Sequence, residues 1–377
     1  MRAQQVVRAL DNAGASRVEA SRRLFVAGSS PNLPLVSAPH NPIGFAMRVY
    51  RAVLSVAGVL VAVPATVVGV DTFVRWKPTP DAAVSARVDA SRDLDAYLRH
   101  REDSVANLKP AARKGIIWRD SIRKTKTPLA LIYLHGFSAT RAELSPVVEH
   151  LSDSLGANVF FTRLAAHGLE NGEAFATVSP QQWIDDAREA LDIGRRIGNR
   201  VVVIGTSTGA LLAMQLAIES HHSLAPAALV LASPNHEPAD WRGRFVAGPF
   251  GPRLARLIGG EYHGFKPANP AQAELWTTRY RSEGVAALMD LVLYGQTIDV
   301  SKIRIPVLTL YTHKDDVVRV DLIRSRHVQF GSRAKQIVDV TEATNHVLAG
   351  DAMGPRATDP VVSLITRFIR TSVLASK

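Results

Sequence analysis

The 377-residue sequence contains no cysteine. Disulfides, zinc–thiolate sites, a cysteine nucleophile and a lipidated cysteine anchor are therefore all excluded. No helix-turn-helix, zinc-finger or RNA-binding signature is present, and there is no internal repeat or low-complexity tract. That absence matters because the formal charge of +11 would otherwise suggest nucleic acid as a partner. Residues 1–51 hold seven arginines against Asp11 and Glu19, so nearly half of the excess lies just before an apolar run. No nucleic-acid partner is expected.

Charge is missing altogether from Ala52–Val70, which reads AVLSVAGVLVAVPATVVGV. As a helix this run would rise about 28 Å, close to the hydrocarbon thickness of a bilayer. Basic residues precede it and Asp71 comes directly after, so the positive-inside rule predicts a cytoplasmic N-terminus and the bulk of the chain outside the cytoplasm. The run suits either a membrane anchor or a cleaved signal peptide with a small-residue site at Val63-Pro64-Ala65. A buried core helix fits Pro64 and the one-sided basic flank poorly. Residues 1–46 are rich in Ser, Pro, Asn and Arg without a sustained period, which predicts a disordered basic tail. Met47–Arg51 resembles the start of an export signal, and a start at Met47 would leave that tail untranslated. Residues 47–75 are thus assigned to the anchor or signal and 76–114 to a helical linker. Within the linker, the spacing of Val84, Val88, Leu94, Tyr97, Leu98 and Val105 suits an amphipathic helix packed on the domain that follows.

Hydrophobic residues make up 46% of the chain and charged residues 21%, enough for a large core. From residue 115 to 377, short apolar strands alternate with helices. The strands predicted are Ile116–Trp118, Leu129–Leu134, Asn158–Thr162, Arg200–Ile204, Ala227–Leu231, Ile305–Tyr311 and Lys335–Val340. Helices are predicted between most of them, including Pro180–Ile197 and Ala210–Ser220. The pattern predicts an α/β protein with a mostly parallel sheet covered by helices on both faces. The alternation lapses between about 234 and 300, which predicts a cap over the strand ends. Trp241, Phe245, Phe250 and Trp276, with leucines among them, offer that cap an apolar underside.

The chemistry-bearing segment is Gly205-Thr206-Ser207-Thr208-Gly209, between strand Val201–Ile204 and the helical ALLAMQLAIES. A serine on a strand–turn–helix corner needs glycines where side chains would clash, and the helix start aims free N–H groups at a developing oxyanion. Serine is barely ionised at neutral pH, so a positioned base must take its proton. His346, in Asn345-His346-Val347 after the last predicted strand, is placed to do so. A carboxylate after the penultimate strand would hold the imidazole tautomer, and Asp315 and Asp316 both qualify. The chain order Ser, Asp, His is the one expected on such a sheet.

These segments, together with Leu134-His135-Gly136-Phe137 and Ala166-His167-Gly168, resemble the α/β-hydrolase superfamily. The likeness is greatest to its serine esterase, monoglyceride-lipase-like and S33-peptidase-like branch, over about Ile116–Phe368. The resemblance implies an α/β-hydrolase fold with a cap insertion, and an oxyanion hole from the backbone N–H groups of Phe137 and Thr208. It also favours Asp315 over Asp316, through the Asp-x-Val-Val context, although Thr312 stands where relatives commonly have glycine. His167-Gly168 corresponds to a structural turn, and Trp183 and Asp186 to a helix-packing pattern. The activity implied is hydrolysis of small or lipid carboxylic esters through an acyl-enzyme, with no metal or organic cofactor. A serine aminopeptidase or acyltransferase would use the same triad, and a membrane-tethered binding protein would need one of its members lost.

Overall fold

The computed structural model describes residues 76–80, 87–88, 91–219 and 225–375. The apolar run Ala52–Val70 and the basic tail lie outside these residues. Among the described residues no helix is long and apolar enough to cross a membrane.

A seven-stranded sheet forms the centre. Its strands are β1 (Gly115–Ile117), β2 (Thr127–Leu134), β3 (Asn158–Phe161), β4 (Gly198–Thr206), β5 (Ala228–Ala232), β8 (Val307–Tyr311) and β9 (Lys335–Asp339). They lie in the order β1-β3-β2-β4-β5-β8-β9. Every pairing is parallel except the edge pair, where Ile116 of β1 opposes Phe160 of β3 in antiparallel register. All seven strands stand within two residues of their predicted limits. Strands β2 and β4 both start early, because Thr127 and Gly198 extend their mutual ladder.

Alternation along each strand divides the core in two, because successive side chains of a strand point to opposite faces. Ala130, Ile132 and Leu134 of β2, with Val201 and Val203 of β4, meet helices α3 (Pro180–Ile197) and α4 (Thr208–Glu219). Leu129, Leu131 and Tyr133, with Val202 and Ile204, meet α2 (Val147–Leu155) and α9 (Thr358–Ile369). Both faces of the central strands are therefore dry, and their sequences read as continuous apolar runs rather than alternating ones. At the far edge, α8 (Val320–Gln329) connects β8 to β9.

Helix α1 (Leu94–Asp103) starts where the Asp93 carboxylate accepts from the amides of Asp95 and Ala96, at 2.9 and 3.1 Å. It buries Leu94 and Leu98 in the α3–α4 side of the core, so the described part of the linker packs on the sheet domain. Its last turn is held by charge. The buried Glu102 carboxylate receives Arg163 through both oxygens, at 2.8 and 3.0 Å. Nearby, Lys114 Nζ lies 2.8 Å from Asp186 and 2.5 Å from Glu189. Burial would discharge Lys114, but these two carboxylates outweigh it and keep the ammonium charged. Removing one partner of such a buried pair costs about 3–5 kcal/mol.

Between β5 and β8 the chain leaves the sheet. This interval holds a 3₁₀ turn (Trp241–Val246), α5 (Gly251–Gly259), the hairpin β6 (Tyr262–Gly264) with β7 (Arg279–Arg281), α6 (Pro270–Leu275) and α7 (Glu283–Thr297). The apolar underside expected of it is thinner than its composition implied. Trp241, Phe245, Phe250 and Leu257 are exposed, at 58%, 49%, 56% and 81%, and only Trp276 is buried. Trp241 and Phe245 belong to the 3₁₀ turn and Phe250 stands just before α5; the helix itself turns Gly251 and Ala255 inward, and residues so small let it lie close to α7 while Leu257 and Ile258 face solvent.

Candidate active site

Strand β4 ends at Thr206 and α4 begins at Thr208, leaving Ser207 alone at the corner with φ +54°. A left-handed conformation of this kind costs a non-glycine residue about 1–3 kcal/mol. Hydrogen bonds across the sheet hold it: the Ser207 amide donates to Ala232 O at 2.8 Å, and the Asn235 amide donates to Ser207 O at 3.3 Å. The flanking glycines are sterically required. A β-carbon at Gly205 would sit 2.4 Å from Gly209 O, and one at Gly209 only 2.0 Å from Leu134 O.

The structure brings His346 and Asp315 together. Asp315 lies just after β8, and its Oδ2 accepts from His346 Nδ1 at 2.7 Å, while its Oδ1 takes the Val317 and Val318 amides at 2.9 and 3.1 Å. Its side chain is fully buried. Burial alone would raise its pKa, yet the bond to His346, the field of that ring and the two amides outweigh burial and leave the carboxyl below its ordinary value. With Nδ1 donating to the carboxylate, Nε2 is the ring nitrogen available as a base. Asp316 is exposed and makes no contact of this kind. The His346 backbone is anchored separately, its carbonyl accepting from Ser233 Oγ at 2.8 Å. Asn345 braces the same loop through Met353 O at 2.9 Å and the Val347 amide at 3.0 Å.

Phe137 and Thr208 follow the C-terminal ends of β2 and β4, which are parallel neighbours in the sheet. Thr208 is the first residue of α4, where amides lack intrahelical acceptors. Phe137 lies in the loop after β2, and that loop is clamped on three sides. His135 is buried and its pKa is lowered to about 4, mainly by desolvation, so the ring is neutral at physiological pH. The Leu164 amide donates to His135 Nε2 at 3.1 Å, which leaves Nδ1–H to donate to Gly136 O at 2.9 Å. That carbonyl shares a peptide plane with the Phe137 amide and points opposite to it, so fixing one aims the other. The Phe137 ring packs edge-on against His167, Phe175, Trp183 and Tyr280, with centroids 5.2–5.9 Å away. The cap closes the third side, the Thr277 amide donating to Ser138 O at 2.7 Å.

His167, Trp183 and Asp186 support this loop from behind. His167 Nδ1 and Trp183 Nε1 both reach Ala165 O, each at 2.9 Å, and Asp186 accepts the Ala165 amide at 2.7 Å. Burial lowers the His167 pKa far below its ordinary value, so this ring too is neutral.

Three residues at the site carry no signal in the sequence. Ser233 is one strand-end residue among several. Tyr133 reads as an ordinary core position of β2. Glu143, in the polar stretch Thr140–Ser145, reads as a surface residue, yet it is buried against Gly136 and Tyr133. Among the described residues no cluster of His, Asp and Glu could hold a metal ion.

The family model described as "Alpha/beta hydrolase family" matches residues 131–357. Solved structures share the fold. One from work on LipS and LipT, two metagenome-derived lipolytic enzymes, is 16% identical with a TM-score of 0.50, covering 70% of this chain and 99% of that one. The monoacylglycerol lipase of Paleococcus ferrophilus is 14% identical with a TM-score of 0.50, covering 69% of this chain and 98% of its own. Comparison with curated proteins gave no match.

Proposed function

The chain belongs to the alpha/beta hydrolase family, and from that premise we propose that it is a serine hydrolase cleaving carboxylic esters through an acyl-enzyme. The observation that carries the reading is the 2.7 Å bond from His346 Nδ1 to the buried Asp315 carboxylate, at the same strand ends as a serine held at positive φ.

In this mechanism His346 Nε2 takes the Ser207 proton as Oγ attacks the ester carbonyl. The Phe137 and Thr208 amides receive the oxyanion, and neither has to reorient as the charge forms. Asp315 holds the tautomer and stabilises the imidazolium. His346 then gives its proton to the leaving alkoxide, the acyl group stays on Ser207, and a water activated by the same imidazole releases the acid.

Three of the cap carboxylates are already matched by arginines, which favours an ester over a peptide with a free amine. Glu237 is balanced by Arg244 at 3.3 Å, Glu261 by Arg281 at 2.7 Å, and Glu283 by Arg281 and Arg256 at 3.4 and 3.6 Å. An aminopeptidase would need a cap carboxylate to meet a substrate ammonium. Lipolytic structural neighbours point the same way, toward small or lipid esters. On sequence grounds, the run Ala52–Val70 would tether this domain to a membrane, or export it, with the catalytic part outside the cytoplasm.

A fluorophosphonate probe should label the wild type, and Ser207→Ala should lose both labelling and ester turnover. Acetyl to palmitoyl esters should be compared with alanyl and prolyl arylamides. Brisk arylamide cleavage over a flat ester series would sink the esterase reading, and labelling that persists in Ser207→Ala would sink the nucleophile.

A further inference from the structure

Glu143 is a buried carboxyl that the ester-hydrolysis mechanism does not use. It sits in the short 3₁₀ turn Arg141–Leu144 and is 2% exposed. Its Oε1 accepts from the Gly136 amide at 2.6 Å and from Tyr133 Oη at 2.7 Å. Tyr133 Oη lies in turn 3.0 Å from Thr206 Oγ1, beside the nucleophile. Oε2 faces the same way: the point where a Gly136 side chain would begin is 3.2 Å from it and 3.5 Å from Ser207 Cβ. No lysine or arginine is paired with Glu143 among the described residues, and His346 is the titratable side chain whose field reaches it.

These contacts converge on the loop that carries the Phe137 amide. His135 Nδ1 holds the Gly136 carbonyl, and Glu143 holds the Gly136 amide, so the two peptide planes on either side of Gly136 Cα are each fixed by one side chain. Glycine here has no β-carbon to resist rotation, so these side-chain bonds set the loop's orientation. We propose that Glu143 is a positioning residue for ester hydrolysis: by accepting the Gly136 amide it aims the Phe137 N–H at the oxyanion, while Tyr133 ties it to the strand end that carries Ser207. Burial pushes the pKa of this carboxyl up to about 7, so at neutral pH it serves as an acceptor while carrying on average only part of a negative charge beside the developing oxyanion. The inference rests on the serine-hydrolase reading of the same site.

The test is steady-state kinetics on a short-chain ester with Glu143→Ala, Glu143→Gln and Ser207→Ala, each normalised to sites titrated by the phosphonate probe or, for Ser207→Ala, to folded protein. Losing one oxyanion donor costs about 10²–10³ in kcat, and a misaimed donor should cost part of that. Glu143→Ala should therefore lower kcat per titrated site by roughly 10–100-fold while KM stays within about threefold. Inhibition by a short alkyl boronic acid, which becomes tetrahedral on Ser207, should weaken in step. Glu143→Gln keeps an acceptor at the Oε1 position and should recover most of the loss. Glu143→Ala with folded, titratable sites of wild-type kcat would overturn the proposal, as would Glu143→Gln falling as far as Glu143→Ala. If Ser207→Ala is inactive while Glu143→Ala is normal, only this inference fails; if Ser207→Ala still turns over ester, the serine-hydrolase reading fails with it.

Discussion

Replacing Glu143 by Gln should change how stability responds to pH, in a direction its environment dictates. Burial is the dominant influence on this carboxyl. It outweighs the hydrogen bonds from Tyr133 and Gly136 and the field of His346, and lifts the pKa from 4.5 to about 7. Between those values the folded protein keeps a proton that the unfolded chain has released. Stability therefore falls as pH rises from about 4.5 to about 7, and Glu143 adds no further slope above or below that window. A shift of this size corresponds to roughly 3 kcal/mol as an upper figure. Glutamine accepts the same two hydrogen bonds and cannot ionise. The stability of Glu143→Gln relative to wild type should therefore improve by up to about 3 kcal/mol between about pH 4.5 and pH 8, or roughly 6–12 °C in Tm for a domain of this size. Thermal and urea unfolding of both proteins across that range would measure it. A stability difference between the two that does not change with pH would refute the claim that folding holds a proton on Glu143.

Asp315→Asn should lower kcat on the order of 10⁴-fold, as loss of a triad acid does elsewhere, whereas Asp316→Asn should stay near wild type because that side chain is exposed. Steady-state ester kinetics decide it, and the reverse ranking would mean that the wrong carboxylate has been assigned. The full-length protein should sediment with membranes and be released by detergent rather than by high salt. Release by salt would mean that the arginines of residues 1–51, not Ala52–Val70, hold it there.

The sheet was legible because its information is local. Apolar runs such as Val201–Ile204 and Ala228–Ala232, separated by helical segments, fit strands buried on both faces, and such strands pair in parallel. The Gly205–Gly209 corner was legible for a related reason: backbone crowding restricts which residues can stand there, so the constraint is written in adjacent letters. Choosing between Asp315 and Asp316 was harder, since both stand in the loop after β8. The difference of one position along the loop decides which carboxylate turns inward, and that depends on where β9 and His346 lie. The cap was legible as an interruption but not in its facing, because the side chains that α5 buries depend on what it packs against.

Taken by itself, then, the sequence determined the architecture, the serine corner, and the order in which an acid and a histidine come after it. Each of these depends on periodicity or on backbone sterics within a few residues. Tertiary structure alone decided the surroundings of that corner. Gly136, Glu143, Tyr133 and Thr206 become one hydrogen-bonded group only when β2 and β4 lie side by side and the turn after β2 folds back over them. Whether a glutamate is solvated or dry is set by neighbours distant in the chain, and desolvation is what turns Glu143 from an apparent surface charge into a buried acceptor, with a raised pKa, behind the Gly136–Phe137 loop.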